Sequence, residues 1–458
     1  MTTQFTTPPR TGARIAPGPR GLPLIGSSLA LAREMHTYLL RARHHYGDVV
    51  RFRLPGSDLI LLSHPRHVAH VLQERTRDYP KSFSYELLKP MLGMGLLTNE
   101  GDSWLRQRRL LQPAFHRARL DGFAQTMVEH SEATAQRWED AVARGLPLDI
   151  AAEMMRLTLE ITGWTLFSVD LSGAARDIGT ALTAALAITN DRMNAIVRLP
   201  NWVPTPANCR FIRAVGLLDR VVAGMIAERR VGYEADDLLT MLLEARDADT
   251  GETMSDQQLR DEVMTLVLAG HETTANGLAW AWYLLATHPG VERRLAAELA
   301  EVLGERSPTL ADLPHLPYTA MVVDEVLRLY PPAWLIDRRA LRDDTIDGYH
   351  IPAGSTVMLS PYVTHRHPEL WEQPEGFDPE RFTSERAAQR PKLAYFPFGT
   401  GQRLCIGNQF ALLEMRLIIA TLARRYRLEL VPGHLVESDP QITLRPRHGL
   451  LMRPTLRL

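Results

Sequence analysis

Lysine is almost missing from this chain: Lys81, Lys89 and Lys392 are the only ones, and arginine supplies nearly all of the positive charge. That bias reads as the codon usage of a GC-rich, bacterial genome. Cysteine is scarcer still, with Cys209 and Cys405 alone. Two thiols allow one disulfide at most, which excludes a secreted disulfide framework and fits a reducing cytosol. An excess of one charge is also lacking, because 52 basic side chains face 53 acidic ones. No overall field therefore recommends nucleic acid as a partner. No apolar run is long enough to span a bilayer, and the segment Leu22 to Ala32 is broken by Pro23 and Gly26. The basic start, unbroken apolar core and cleavage site of a signal peptide are missing. Together these absences predict a soluble, cytoplasmic protein without a membrane anchor. No glycine-rich fingerprint follows a strand, so no flavin or nicotinamide site is expected. The closest histidine pairs, His44 with His45 and His365 with His367, lack zinc-like spacing and further ligands.

What is present is a large core. Hydrophobic residues make up 45% and charged residues 23% of the chain, the balance of a globular protein. Residues 1–16 are rich in Thr, Pro, Gly and Arg and are expected to be a disordered tail; residues 17–458 read as one unit. Val49–Leu54 and Leu59–Leu62 flank Pro55-Gly56 as a β-hairpin would. Apolar residues then recur at three- and four-residue spacing over Met127–Ala143, Ile150–Leu166 and Phe211–Arg229, which predicts helices. Asn201–Pro206 separates two of them. After Pro331-Pro332, short apolar runs around Thr345–Gly354 and Val357–Ser360 predict small strands. The fold class is mainly α with minor β.

The stretch Phe398-Gly-Thr-Gly-Gln-Arg-Leu-Cys-Ile-Gly407 places Cys405 in a glycine-rich loop before a helix-forming run. A helix start offers free N–H groups and the positive end of its dipole, which favour a thiolate and hence a metal ligand. A second signal is Ala269-Gly-His-Glu-Thr-Thr274, a polar cluster that interrupts a long apolar helix from Leu259 to Ala286. Such a cluster is costly without partners or a task. Gly270 permits close approach to the backbone, and a threonine can bond back to the carbonyl four residues earlier. Glu325 and Arg328 are three apart and share a helix face. Trp104 and Arg108 are four apart, which puts an indole N–H and a guanidinium on one face, suited to a carboxylate. Cys209 has no ligand-like neighbours and reads as packed.

The pattern Phe-x-x-Gly-x-Arg-x-Cys-x-Gly resembles the haem-binding signature of the cytochromes P-450, and the resemblance extends over about residues 17 to 455. It implies a large helical domain around a buried haem b with a smaller β-rich region. Cys405 would be the axial iron ligand, framed by Phe398, Gly399 and Gly407. Ala269 and Gly270 would line the opposite haem face, with Glu272 and Thr273 as the acid–alcohol pair that delivers protons to dioxygen. Trp104, Arg108, Arg403 and Arg338 would hold the haem propionates, Arg339 being the alternative if the register slips. Glu325, Arg328 and Arg381 would form a structural triad. The resemblance implies a monooxygenase that inserts one atom of O2 into a C–H bond. Expected substrates are hydrophobic small molecules such as a terpene, fatty acid or polyketide, with a macrolide or other natural-product tailoring role as the alternative. The walls of that pocket are expected from Phe83, Tyr85, Leu87, Met94, Leu96, Leu266, Leu335 and Ile336, and from the break near Trp202.

With no flavin or nicotinamide site in the chain, NAD(P)H would act only through separate partners, a ferredoxin and its reductase or a flavodoxin-type donor. Arg106, Arg109, Arg416, Arg424 and Arg425 are the candidate docking cations. A monomer is expected. A peroxide-driven peroxygenase is the rival reading, although such relatives usually lose the acid–alcohol pair. A haem-based sensor or carrier, the rival from another class, needs an output module for which no residues are left.

Overall fold

The computed structural model describes residues 12–171, 173, 175–195, 199–231, 237–246, 251 and 253–457. Residues 1–11 of the expected tail lie outside them. The next few residues correct that expectation. Arg14–Ile15 form a strand parallel to Tyr349–His350, the Arg14 guanidinium stacks on the Tyr349 ring at 4.5 Å, and Ala16 is buried. Composition cannot reveal a sheet edge that waits more than three hundred residues away.

The fold is mainly α, organised around one helix, Asp256–Thr287. Ser255 starts it by accepting the Gln258 N–H at 3.2 Å, and Pro289 opens the next helix just past its end. Leu259 to Leu268 and Thr274 to Trp282 are buried with few breaks, so this helix threads the core. It does not break at Ala269–Thr274. Thr273 Oγ1 donates back to the Ala269 carbonyl at 2.7 Å while the helix continues. The helix Ile150–Phe167 packs along it closely enough that a Cβ on Gly270 would lie 3.1 Å from Thr162 Oγ1. Asp149 caps that neighbour by accepting the Ala151 N–H at 3.1 Å. On another side, Gly277 admits Met415 of the helix Asn408–Arg425. Helices Ala175–Asn194 and Pro206–Arg230 flank the break at Asn201–Thr205, with Thr205 capping the second. Among the described residues no helix is long and apolar enough to cross a membrane.

The strands form four small sheets among the described residues. Val49–Leu54 and Ser57–Leu62 form the hairpin, and Thr356–Leu359 runs parallel to the latter and antiparallel to Ile336–Arg339. Side chains alternate along the last strand, so Arg338 points inward and is buried while Arg339 is exposed. Ser438–Pro440 and Leu444–Pro446 make a two-stranded hairpin pressed on the central helix, where Trp280 Nε1 donates to the Leu444 carbonyl at 3.0 Å.

Beneath the sheets, Glu325, Arg328 and Arg381 meet with almost no solvent exposure. Arg328 donates to both Glu325 oxygens, at 2.6 and 2.7 Å, and Arg381 Nε reaches Oε1 at 3.3 Å. Arg328 also donates to the carbonyls of His365, Pro374 and Gly376. This one guanidinium thus ties the helix Pro317–Leu329 to the segment that leads to Cys405. Replacing Glu325 by Ala would strand two buried guanidinium groups. Chemical denaturation should show a loss of about 3–5 kcal/mol, and a loss below 1 kcal/mol would contradict the bracing role.

Candidate active site

Backbone and side-chain contacts together shape the Cys405 loop. Gly399 and Gly401 both adopt φ near +70°, and a Cβ on Gly401 would sit 2.1 Å from the Leu72 carbonyl oxygen, so only glycine fits there. Gln73 Nε2 donates to Thr400 Oγ1 at 2.7 Å, and the Cys405 N–H donates to the Phe398 carbonyl at 3.0 Å. The loop then enters the helix Asn408–Arg425, capped by Gly407. The Gly407 N–H points at the Cys405 sulfur. The thiol is enclosed by protein and yet accessible, so it borders an interior cleft. The helix start is not the only influence on its ionisation. Burial pushes the Cys405 thiol above its usual range, and the Gly407 N–H and Arg108 only partly offset this. The deprotonated form therefore needs a cation bound at sulfur.

Beside the loop, cations converge without enough anions. Trp104 and Arg108 lie on the helix Gly101–Leu111, Trp104 buried and Arg108 half-buried. The Arg403 guanidinium stacks 3.5 Å from the Trp104 ring centroid. Arg338 enters from its strand, donating to the Asp337 carbonyl at 2.8 Å. Lys81, which sequence reasoning missed, completes the group: its Nζ donates to the Asn99 carbonyl at 2.7 Å. Burial, with Arg403 and Arg338 nearby, lowers the Lys81 ammonium to about 6. Its rarity in an arginine-rich chain was the one signal that could have marked it. Against these four cations stand Glu100, 3.0 Å from Arg403, and Asp337, which accepts from Ser82 and Ser84. Among the described residues Arg108 has no carboxylate partner, and Cys405 is the one charged neighbour that acts on it. A cluster so short of anions, next to an accessible buried thiol, fits the carboxylates and iron of a haem. Tyr85, expected as a pocket wall, belongs to this cluster instead: Lys81 and Arg338 lie over its ring, and its hydroxyl is 3.4 Å from Arg338.

The central helix supplies the other wall. Ala269 is exposed and Gly270 and Thr273 are half-exposed, in the middle of a helix buried on both sides of them. These three residues share one helical face. Glu272 does not join them. Its buried carboxylate accepts from Thr443 Oγ1 at 2.5 Å, and Thr443 Oγ1 accepts from Asn276 Nδ2 at 3.1 Å. Burial raises the Glu272 carboxyl, while Thr443 and Arg445 act the other way. Acid and alcohol are thus neighbours in sequence but diverge in space. One residue on, Thr274 faces Glu414 of the helix that follows Cys405.

Of the other expected pocket residues, Phe83 and Met94 are exposed, Leu87, Leu96, Leu335 and Ile336 are half-buried, and Leu266 is buried. Ile336 reaches the cysteine loop at Gly399. Trp202 corrects the expectation, because 81% of its surface is exposed and it lines no interior wall. The docking set also changes. Arg424 and Arg425 both pair with Glu132, and Arg425 with Glu139, so they join two helices and offer no unpaired charge. Arg109 is exposed, whereas Arg106 and Arg416 are half-buried. His365 and His367 are buried hydrogen-bonding residues, and His44 and His45 lie at the surface.

The family model of cytochrome P450 matches residues 16–455. The chain is 41% identical to cyclooctatin synthase of Streptomyces melanosporofaciens, over 94% of this chain and 93% of that one. It is 38% identical to cyclooctat-9-en-7-ol 5-monooxygenase of the same organism, over 93% and 92%. The crystal structure of a cytochrome P450DA heme domain superposes with a TM-score of 0.89 at 30% identity, covering 97% and 98% of the two chains. The fold and this site define a haem-thiolate oxidoreductase. The chain belongs to the cytochrome P450 family, and it is a monooxygenase that uses haem b and O2.

The loop carrying Met94 and Leu96 is clamped to the central helix. The Met94 N–H donates to Asp261 at 2.7 Å and the Leu96 N–H to Glu262 at 2.9 Å. Glu262 is buried with its other oxygen unpartnered, and burial raises its carboxyl from 4.5 to about 7. An acid held more tightly in the folded state costs stability as pH rises from 4.5 to 7, and the cost stays constant above that. Glu262→Gln keeps an acceptor for Leu96 and removes the charge. Its unfolding free energy relative to the parent, from chemical denaturation, should rise across that window, reaching a gain on the order of 2 kcal/mol by pH 8. Parallel profiles for the two proteins would contradict the assignment.

Proposed function

We propose that this monooxygenase hydroxylates a hydrophobic small molecule of the terpene class, with a fatty acid or polyketide as the wider range. Its electrons would come from a separate ferredoxin and ferredoxin reductase, with NAD(P)H acting through them in the cytoplasm. The substrate reading rests on the apolar half-buried side chains Leu87, Leu96, Leu335 and Ile336. It rests also on the relative whose name states a monooxygenation of cyclooctat-9-en-7-ol. Arg109 remains the exposed candidate in a donor's docking patch.

Cys405 would ligate the iron, with Phe398, Gly399 and Gly407 shaping the loop. Trp104, Arg108, Arg338, Arg403 and Lys81 would hold the propionates. When bound, haem supplies the reductive activation of dioxygen. The protein's own residues orient the substrate, exclude water and move protons. Two electrons and two protons go with each O2: one oxygen atom enters the C–H bond and the other leaves as water. If protons arrive in the wrong place, the same electrons leave as hydrogen peroxide.

The observation that carries this reading is the accessible Ala269–Gly270–Thr273 face within an otherwise buried helix. Thr273 Oγ1 donates to Ala269, which leaves its lone pairs free to accept from a water or from the reacting oxygen species. Thr273→Ala removes that hydroxyl. Fed by a surrogate ferredoxin and reductase, the variant should release roughly tenfold more peroxide per NADPH than the parent. An unchanged partition would remove Thr273 from proton delivery.

A further inference from the structure

We propose that Thr443 is a positioning residue for proton delivery: its hydroxyl fixes the carboxyl of Glu272 on a different face of the central helix from Thr273. This deepens the reading of Glu272 as the proton-carrying acid and rests on it.

The Glu272 side chain is only 5% exposed and Thr443 only 7%, so neither is satisfied by bulk water. An unpaired carboxyl in such a place costs several times what a paired one does. The Glu272 carboxyl has one hydrogen-bond donor among the described residues, Thr443 Oγ1 at 2.5 Å. That hydroxyl is itself oriented, because it accepts from Asn276 Nδ2 at 3.1 Å, one helical turn beyond Glu272. Its single proton is thereby directed at the acid.

Thr443 in turn stands on a fixed support. It precedes the strand Leu444–Pro446, which is pinned by Trp280 Nε1 to the Leu444 carbonyl and by the Leu444 N–H to the Pro332 carbonyl, both at 3.0 Å. The hairpin leads outward through Arg445, which pairs with Asp439 at 3.2 Å and is the one charged group that acts on Glu272. His271, next in sequence, has both ring nitrogens buried without partners, and its own carbonyl accepts from Thr158 of the Ile150–Phe167 helix. It gives Glu272 no hydrogen bond. The orientation of the acid therefore depends on a residue 171 positions away in sequence.

The test uses the haem-loaded full chain with surrogate ferredoxin, reductase and NADPH, without organic substrate, and partitions the electrons between peroxide and water. Thr443→Val is nearly isosteric and removes the donor; Thr443→Ser keeps it. Thr443→Val should raise peroxide per NADPH roughly threefold, Thr443→Ser should match the parent, and Thr443→Val should add nothing in a Glu272→Gln background. An independent readout is infrared: the carboxyl band lost in Glu272→Gln should move to higher wavenumber in Thr443→Val and return in Thr443→Ser. An unshifted band, or an additive effect in the double variant, overturns the role of Thr443. If Glu272→Gln itself leaves the partition unchanged, the reading of Glu272 as the acid fails instead.

Discussion

A helix buried along nearly its whole length must find partners on neighbouring elements for most of the polar groups it carries, and the helix Asp256–Thr287 sets that condition for the molecule. Its acidic start holds the Gly93–Thr98 loop through Asp261 and Glu262. Its middle opens to the interior at Ala269 and Thr273. Beyond that, Glu272 and Asn276 recruit the C-terminal hairpin through Thr443. Each contact answers the cost of a buried polar group, and together they bring the elements of the site to one place.

Electrostatics divides the site into two regimes. Near Cys405, Lys81, Arg108, Arg338 and Arg403 outnumber Glu100 and Asp337, and burial, with repulsion from Arg403 and Arg338 added, depresses the Lys81 ammonium. Such a cluster is a poor arrangement for the bare chain and a good one for a dianionic cofactor, whose carboxylates would supply the missing negative charge. Around the central helix the pattern reverses. Glu262, Glu272 and Glu414 are buried acids whose carboxyls are all pushed up by burial. The cations near Cys405 thus favour negative charge, whereas burial around the central helix disfavours it.

Segments with local rules were legible in the sequence. The glycines around Cys405, the three-residue spacing of Glu325 and Arg328 and the helical periodicities all act over a few residues, so pattern and geometry coincide. Long-range pairings were not. Nothing near Glu272 announces Thr443, and nothing near Arg424 and Arg425 announces Glu132, which turns two candidate docking cations into a helix–helix tie. Arg14–Ile15 look like part of a tail until the Tyr349–Ile351 edge pairs with them. The thiolate expectation rests on dipole and N–H effects, which can be read locally, whereas the burial that opposes them is a property of the whole fold.

The proposed role of Cys405 is to bind iron through its sulfur, from a buried, cation-flanked loop. The most direct measurement is the absorption spectrum of the reduced haem protein with carbon monoxide. The account predicts the strongly red-shifted Soret band of thiolate ligation, lost when Cys405 is replaced by serine. A globin-like band in the parent protein, or a red-shifted band that survives Cys405→Ser, would contradict it.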